Sequence, residues 1–353
     1  MRTNWALALI FMGGSLAGAV WLAARPHGAL EPQRLQICAT ISPLADWARE
    51  VGGADARVYL LVDGYKDPHH FEPTVSDAVR VSASRALLAS GLGLDPWAEQ
   101  LVEHAGKGAA LEYIDASQWI QPLKLSAREI EINPGSAANQ NGGAESFVNT
   151  PDAQPVPRAM RDAADALRRA HGHIHGGDVD PHFWHDPRRA MQVVAHLVQE
   201  FGRFDPAHKD AYVARGEICL GKLKTLDARV EAAAKKIPAG TRVVTFHDAY
   251  GYLFERLHVK VAAVVQTSPG VEPSLKDCAE ALRVMREIKQ PAIFKEPASS
   301  ERAIDMIAHE MKIERIALLD PLDNGDSPVG RDYFERMAHN IATLESVWTE
   351  EKR

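Results

Sequence analysis

Short apolar runs alternate with amphipathic segments along most of the chain. The runs 34–41, 58–62 and 86–90 predict buried strands, and the segments that begin at residue 42, near residue 74 and at residue 96 predict helices. Thr74 and Asp77 have the spacing of a capping box at a helix start. A strand-to-helix alternation of this kind is typical of parallel α/β layers.

The second half of the chain begins with helices and then returns to the same alternation. The segments 187–201 and 206–236 are helical in pattern, and at 1.5 Å per residue the second would span about 45 Å, which suits a rigid strut. Further strands and helices follow from residue 242 to residue 319. We therefore predict an α/β protein of two lobes, each a mostly parallel sheet with flanking helices, joined by one long rigid helix. The expected ranges are 34–185 for the N-terminal lobe, 186–237 for the connecting helical segment and 238–353 for the C-terminal lobe.

One stretch inside the first lobe interrupts this pattern. Residues 121–179 are rich in Ala, Gly, Asn, Pro and Ser and hold little apolar surface to bury, which predicts a mobile surface insertion. Near its end lie His171, His173 and His175. They form either a weak metal-binding site or capture antenna, or a solvated loop that is incidentally rich in histidine.

The N-terminus has the layout of an export signal. Arg2 precedes the uncharged apolar run 5–24, Arg25 follows it, and Ala17-Gly18-Ala19 offers a small-residue cleavage site. We expect residues 1–30 to direct export to the periplasm and to be removed. An uncleaved anchor is the alternative, because about 20 apolar residues suffice to span a bilayer.

The net charge and the cysteine spacing exclude two classes of function. The 353 residues carry a formal net charge of -7, which argues against nucleic acid as a partner, because such partners attract basic patches. The three cysteines have no CxxC spacing, so a thiolate zinc knuckle is excluded.

Histidines and acids recur at junctions between predicted elements. Asp67-Pro68-His69 and Asp180-Pro181-His182 repeat one motif in which proline restricts the backbone around an imidazole. His247 follows the apolar strand 243–246, and Asp320 closes the strand 316–319 in the same way. In open α/β sheets, ligands bind in crevices outside the carboxyl ends of strands.

The types of these side chains indicate the ion. Three imidazoles and one carboxylate suit a tetrahedral zinc ion. Magnesium and calcium call for oxygen ligands, and manganese calls for more carboxylate than these positions offer. Zinc is therefore the expected ion, with Mn²⁺ the weaker alternative.

The chain resembles the zinc- and manganese-binding solute-binding proteins of ABC importers over nearly all of its expected mature length. The motifs that carry the resemblance are Ala39-Thr40-Ile41-Ser42-Pro43-Leu44, Asp67-Pro68-His69, Asp180-Pro181-His182-Phe183-Trp184, Phe246-His247-Asp248-Ala249-Tyr250-Gly251-Tyr252, Glu296-Pro297 and Leu319-Asp320-Pro321-Leu322. The resemblance implies that His69, His182, His247 and Asp320 are the metal ligands.

Further expectations follow from this resemblance. Manganese members tend to have Glu at the third ligand position, so His247 points to zinc, and some zinc members have water instead of the acid. The resemblance also implies a monomeric binding protein rather than an enzyme. Such a protein captures zinc between two lobes joined by a long helix and delivers it to the membrane permease of an ABC importer.

Other polar residues near these motifs have supporting roles. We assign His70 and His185 to the cleft rim or to outer contacts, with direct coordination as the alternative. Glu72, Asp248 and Glu296 are the expected acceptors for the second N–H of the ligating imidazoles, which fixes the ring tautomer.

Two other functions use the same residues. A secreted zinc hydrolase would take Asp248 or Glu72 as general base, but the chain has no HExxH motif, and a fourth protein ligand closes the position that catalysis needs. A zinc-buffering or metal-linked adhesion protein would use this site without an importer, and the ligand set alone does not separate it from a transport protein.

Overall fold

The computed structural model describes residues 34–64, 66–105, 111–124, 179–265, 272–290, 292–297, 299–323 and 325–349. The predicted signal segment 1–30, the histidines of the insertion and most of the insertion itself lie outside these residues. Among the described residues, no helix combines the length and the apolar character that crossing a membrane requires.

Four parallel strands form the first sheet. They are β1 (Leu35–Ala39), β2 (Ala56–Leu60), β3 (Ala86–Ala89) and β4 (Glu112–Asp115), in the spatial order β2-β1-β3-β4. The helices that alternate with them are α1 (Ser42–Gly52), α2 (Val75–Ser82) and α3 (Trp97–His104). The predicted alternation is present here, and the predicted capping box of Thr74 and Asp77 is confirmed at the start of α2. The short β4 was not predicted.

Two packed helices follow the insertion. They are α4 (Pro187–Phe204) and α5 (Lys209–Ala234). The 26 residues of α5 span about 39 Å, less than expected, because residues 206–208 form a 3₁₀ turn and the helix ends at Ala234. Along α5, Leu223, Leu226 and Val230 are buried.

The C-terminal part is a second α/β arrangement. Its strands are β5 (Arg242–Thr245), β6 (Lys260–Val264), β7 (Ile293–Lys295) and β8 (Ile316–Leu318). Its helices are α6 (Gly251–Leu257), α7 (Leu275–Ile288), α8 (Glu301–Met311) and α9 (Tyr333–Thr349). The described strands pair in parallel as β5-β6 and β7-β8. The buried amide of Gln290 joins the pairs, since it bonds both the N–H and the carbonyl of Val244 and also the carbonyl of Ala292.

The largest apolar cluster is continuous through both parts of the protein. It contains side chains from β1, α1, α4, α5, β5, α6 and α9. The rings of Trp47 on α1 and Tyr333 on α9 pack edge to face with centroids 4.9 Å apart. A large hinge motion of the two parts would have to open this shared core and would expose apolar surface to water.

Candidate metal centre

His69 lies in a 3₁₀ turn over Pro68–His70 that its own motif builds. The carboxylate of Asp67 accepts the backbone N–H of His69 at 2.8 Å, and Pro68 stands at the first position of the turn, where no N–H is needed. The indole N–H of Trp97 donates to the carbonyl of Pro68 at 2.8 Å. The turn is thereby fixed to α3.

His182 is held by the second copy of this motif. One carboxylate oxygen of Asp180 accepts the backbone N–H of His182 at 3.0 Å and is 2.8 Å from its ring Nδ1. Both side chains are buried. Because the Nδ1–H is donated to a carboxylate, the tautomer is set and Nε2 is the nitrogen that can bind a metal ion.

His247 follows β5 and faces an acid that follows β7. Its Nδ1 lies 3.7 Å from Oε2 of Glu296, whose other oxygen accepts the hydroxyl of Tyr250 at 3.0 Å. Burial lowers the pKa of His247, but the negative charge of Glu296, helped by those of Asp323 and Asp248, outweighs this effect and raises that pKa to about 9. Glu296 therefore orients this imidazole and increases its basicity.

The three predicted histidines meet at one point. His69, His182 and His247 each offer a ligand atom, and these atoms all lie within 4.8 Å of one another. The ring centroids of His182 are 5.9 Å from those of His69 and 5.3 Å from those of His247. Within the described residues, no other cluster of three or more His, Cys, Asp or Glu side chains has this geometry. Three converging imidazole nitrogens are a typical zinc-binding arrangement.

Asp320, the predicted acidic ligand, is buried close to this region but is not in the histidine cluster. One of its carboxylate oxygens accepts Arg336 at 2.5 Å and the N–H of Leu322 at 2.7 Å, and the other accepts the hydroxyl of Ser327. Its assignment as a ligand stays a prediction.

The neighbouring histidines contact other groups. His70 is exposed, and its Nδ1 lies 2.9 Å from Asp67. His185 is fully buried with its Nε2 3.1 Å from the carbonyl of Pro321, and burial lowers its pKa to about 3. Neither belongs to the metal-binding cluster of the described residues.

Only some of the carboxylates predicted to support the ligating histidines lie beside them in the structure. Glu296 lies beside His247 as predicted. Glu72 is exposed, and Asp248 acts on His247 through its charge. Sequence reasoning missed Asp180 in this role, although the repeated Asp-Pro-His spacing was a usable signal. It also missed Asp323, a buried carboxyl group whose charge interacts with that of His247. Burial is the main cause that raises the pKa of Asp323 to about 7.

Known proteins share this architecture along most of their length. The zinc-uptake protein ZnuA of Bacillus subtilis is 23% identical over 313 residues, which cover 88% of this chain and 86% of that protein. The periplasmic zinc-binding protein TroA of Treponema pallidum superposes with a TM-score of 0.68 at 20% identity, over 89% of this chain and 99% of TroA. The binding protein FpvC of Pseudomonas aeruginosa, solved with Mn²⁺, gives a TM-score of 0.66 at 23% identity, over 90% of this chain and 100% of FpvC.

These solved structures share the two-lobed α/β fold with this chain. A family model described as ZnuA, the periplasmic component A of the zinc-uptake complex, matches residues 37–347. The family comprises transport proteins rather than enzymes. The chain belongs to this family of zinc-uptake binding proteins.

Proposed function

We propose that this protein captures zinc between its lobes with His69, His182 and His247 and delivers it to the permease of an ABC importer. The observation that carries the proposal is the convergence of these three imidazoles, from three separate segments, within 4.8 Å. Membership of the zinc-uptake family supports delivery to an importer.

The donor set favours zinc over manganese. Imidazole nitrogens suit zinc, whereas manganese prefers carboxylate and other oxygen donors. The carboxylates of Asp180 and Glu296 face Nδ1 of His182 and Nδ1 of His247. A carboxylate at one ring nitrogen raises the basicity of the other, which can then bind the metal ion more strongly. The fourth position falls to Asp320 in the sequence-based prediction, or to water.

The cellular setting is also part of the proposal. The apolar run 5–24 directs export as part of a cleaved signal segment, and the mature protein acts in the periplasm as a monomer without a nucleic-acid partner. Mass spectrometry of the exported protein tests the cleavage, because a mass that still includes residues 1–19 would indicate an uncleaved anchor instead.

Competitive titration with a chromophoric chelator tests the metal site. The wild type should bind about one zinc in the cleft, and His247→Ala should weaken this binding by at least about tenfold. His70→Ala, which removes an exposed histidine beside the same site, is the matched control and should retain wild-type affinity. Tight binding that survives in His247→Ala would refute the assignment of the ligands.

Growth in zinc-depleted medium tests delivery. In a host that lacks its own zinc-binding protein but has the matching permease, the wild type should restore growth and His247→Ala should not. If His247→Ala also restores growth, zinc delivery does not depend on this site and the proposal is wrong.

A further inference from the structure

Asp320 and Arg336 form an ion pair inside the protein. The guanidinium Nη2 lies 2.5 Å from Oδ1 of Asp320, and the two side chains are 2% and 0% exposed. Asp320 follows β8 and Arg336 lies on α9. Each of these buried charges is stabilised by the other, and removing one partner would leave an uncompensated charge that strongly destabilises the folded protein.

Other donors occupy the remaining faces of this carboxylate. Oδ1 also accepts the N–H of Leu322 at 2.7 Å, and Oδ2 accepts the hydroxyl of Ser327. A carboxylate has about four lone-pair positions, so these donors and Arg336 use three of them. An oxygen that already accepts a guanidinium proton is also a weaker donor to a metal cation.

The backbone of Asp320 is fixed as firmly as its side chain. The amide of Asn340 accepts the N–H of Asp320 at 2.8 Å and donates to its carbonyl at 2.7 Å. Arg336 in turn donates from Nη1 to the hydroxyl of Ser42, the first residue of α1, at 3.1 Å. Turning Asp320 toward the histidines would break its bonds to Arg336 and Ser327 and leave the buried guanidinium without its carboxylate.

We propose that Arg336 withholds Asp320 from the metal, so that the protein ligands are the three histidines alone and water completes the zinc site. Arg336 is then a specificity-determining residue, because it removes a carboxylate oxygen donor that would favour manganese. This inference rests on the proposed zinc capture and names the residue that sets its selectivity.

A crystal structure of the zinc-loaded wild-type protein, in which the position of Asp320 is determined, is the first test. We expect the Asp320–Arg336 pair to persist and a water oxygen to lie on the zinc. An Asp320 oxygen within about 2.2 Å of zinc would overturn the inference.

A double variant tests the same point in solution. Asp320→Asn combined with Arg336→Met removes both buried charges together, so neither is left without its partner. If Asp320 is not a ligand, the zinc affinity of this variant should stay within about threefold of wild type. A loss of at least about tenfold would overturn the inference.

Arg336→Met alone tests selectivity. Release of the carboxylate should raise manganese affinity relative to zinc by at least about tenfold in a competition titration. Arg331→Met, which removes an exposed arginine from its pair with Glu335, should leave the ratio unchanged. An unchanged ratio in folded Arg336→Met would overturn the selectivity role; if that variant does not fold, the crystal structure and the double variant decide.

The outcomes also separate this inference from the proposed function. Zinc that binds away from the histidines would refute the function itself. Zinc that binds the histidines together with Asp320 would refute only the role of Arg336.

Discussion

Asp180 binds His182 at two points, accepting its backbone N–H at 3.0 Å and lying 2.8 Å from its ring Nδ1 through the same carboxylate oxygen. Asp67, at the same place in the first motif, accepts the backbone N–H of His69 at 2.8 Å, and its other oxygen lies 2.9 Å from Nδ1 of the exposed His70. The repeated motif therefore builds two similar turns with different support for the imidazole.

This difference predicts unequal effects of the same substitution. Asp180→Asn should weaken zinc binding by about tenfold, because His182 loses the anionic acceptor that fixes its tautomer and raises its basicity. Asp67→Asn should change zinc affinity by no more than about threefold. Zinc titration against a competing chelator measures both, and equal losses would indicate that the turn matters rather than the ring contact.

The insertion should be dispensable for zinc binding. Lys124 and Val179 pair as an antiparallel bridge, the N–H of Asp180 donates to the carbonyl of Leu123 at 2.8 Å, and the hydroxyl of Tyr252 bonds both sides. Because the described ends of the segment are adjacent, a short turn can join them.

Replacing residues 125–178 with a short Gly-Asn turn should therefore give a folded protein that binds about one zinc, as measured by metal analysis after dialysis. The control is the full-length chain treated in the same way. Loss of the tightly bound zinc in the shortened chain would instead locate the main site in the insertion.

His185 should make the metal-free protein sensitive to acid. Burial lowers its pKa to about 3 in the folded state, whereas an unfolded histidine titrates near 6.5. Between these values the unfolded chain binds the extra proton, so folding stability falls as the pH drops through this window. From pH 7 to pH 5 this residue should lower the free energy of unfolding by about 2 kcal/mol.

Urea unfolding at pH 7 and pH 5 in the presence of a chelator measures this effect. His185→Gln should lose less stability between the two pH values than the wild type, since its amide can still donate to Pro321 but does not titrate. His70→Gln, at an exposed position, should retain the wild-type difference. A wild-type difference in His185→Gln would assign the acid sensitivity to other groups.

The sequence predicted local features well because local chemistry determines them. The Thr74–Asp77 capping box, the Asp-Pro-His turns and the alternation of strands and helices depend on residues a few positions apart. The three histidines could be identified because each follows a short motif at the end of an element.

Features that depend on distant residues were not accessible in this way. β4 has only four residues, and its two apolar side chains, Tyr113 and Ile114, lie between the charged Glu112 and Asp115. The helix α9 follows a loop that breaks the earlier alternation of strands and helices. The pairing of Arg336 with Asp320 depends on how α9 packs against β8, which no local pattern specifies. Gln290 likewise joins two strand pairs through a side chain whose position is set by tertiary packing.

Anomalous scattering at the zinc absorption edge, measured on crystals of the zinc-loaded wild-type protein, tests the central claim most directly. The three-histidine account predicts one strong peak about 2.0–2.1 Å from a ring nitrogen of each of His69, His182 and His247. A strong peak elsewhere, with no zinc bound between these three imidazoles, would contradict it.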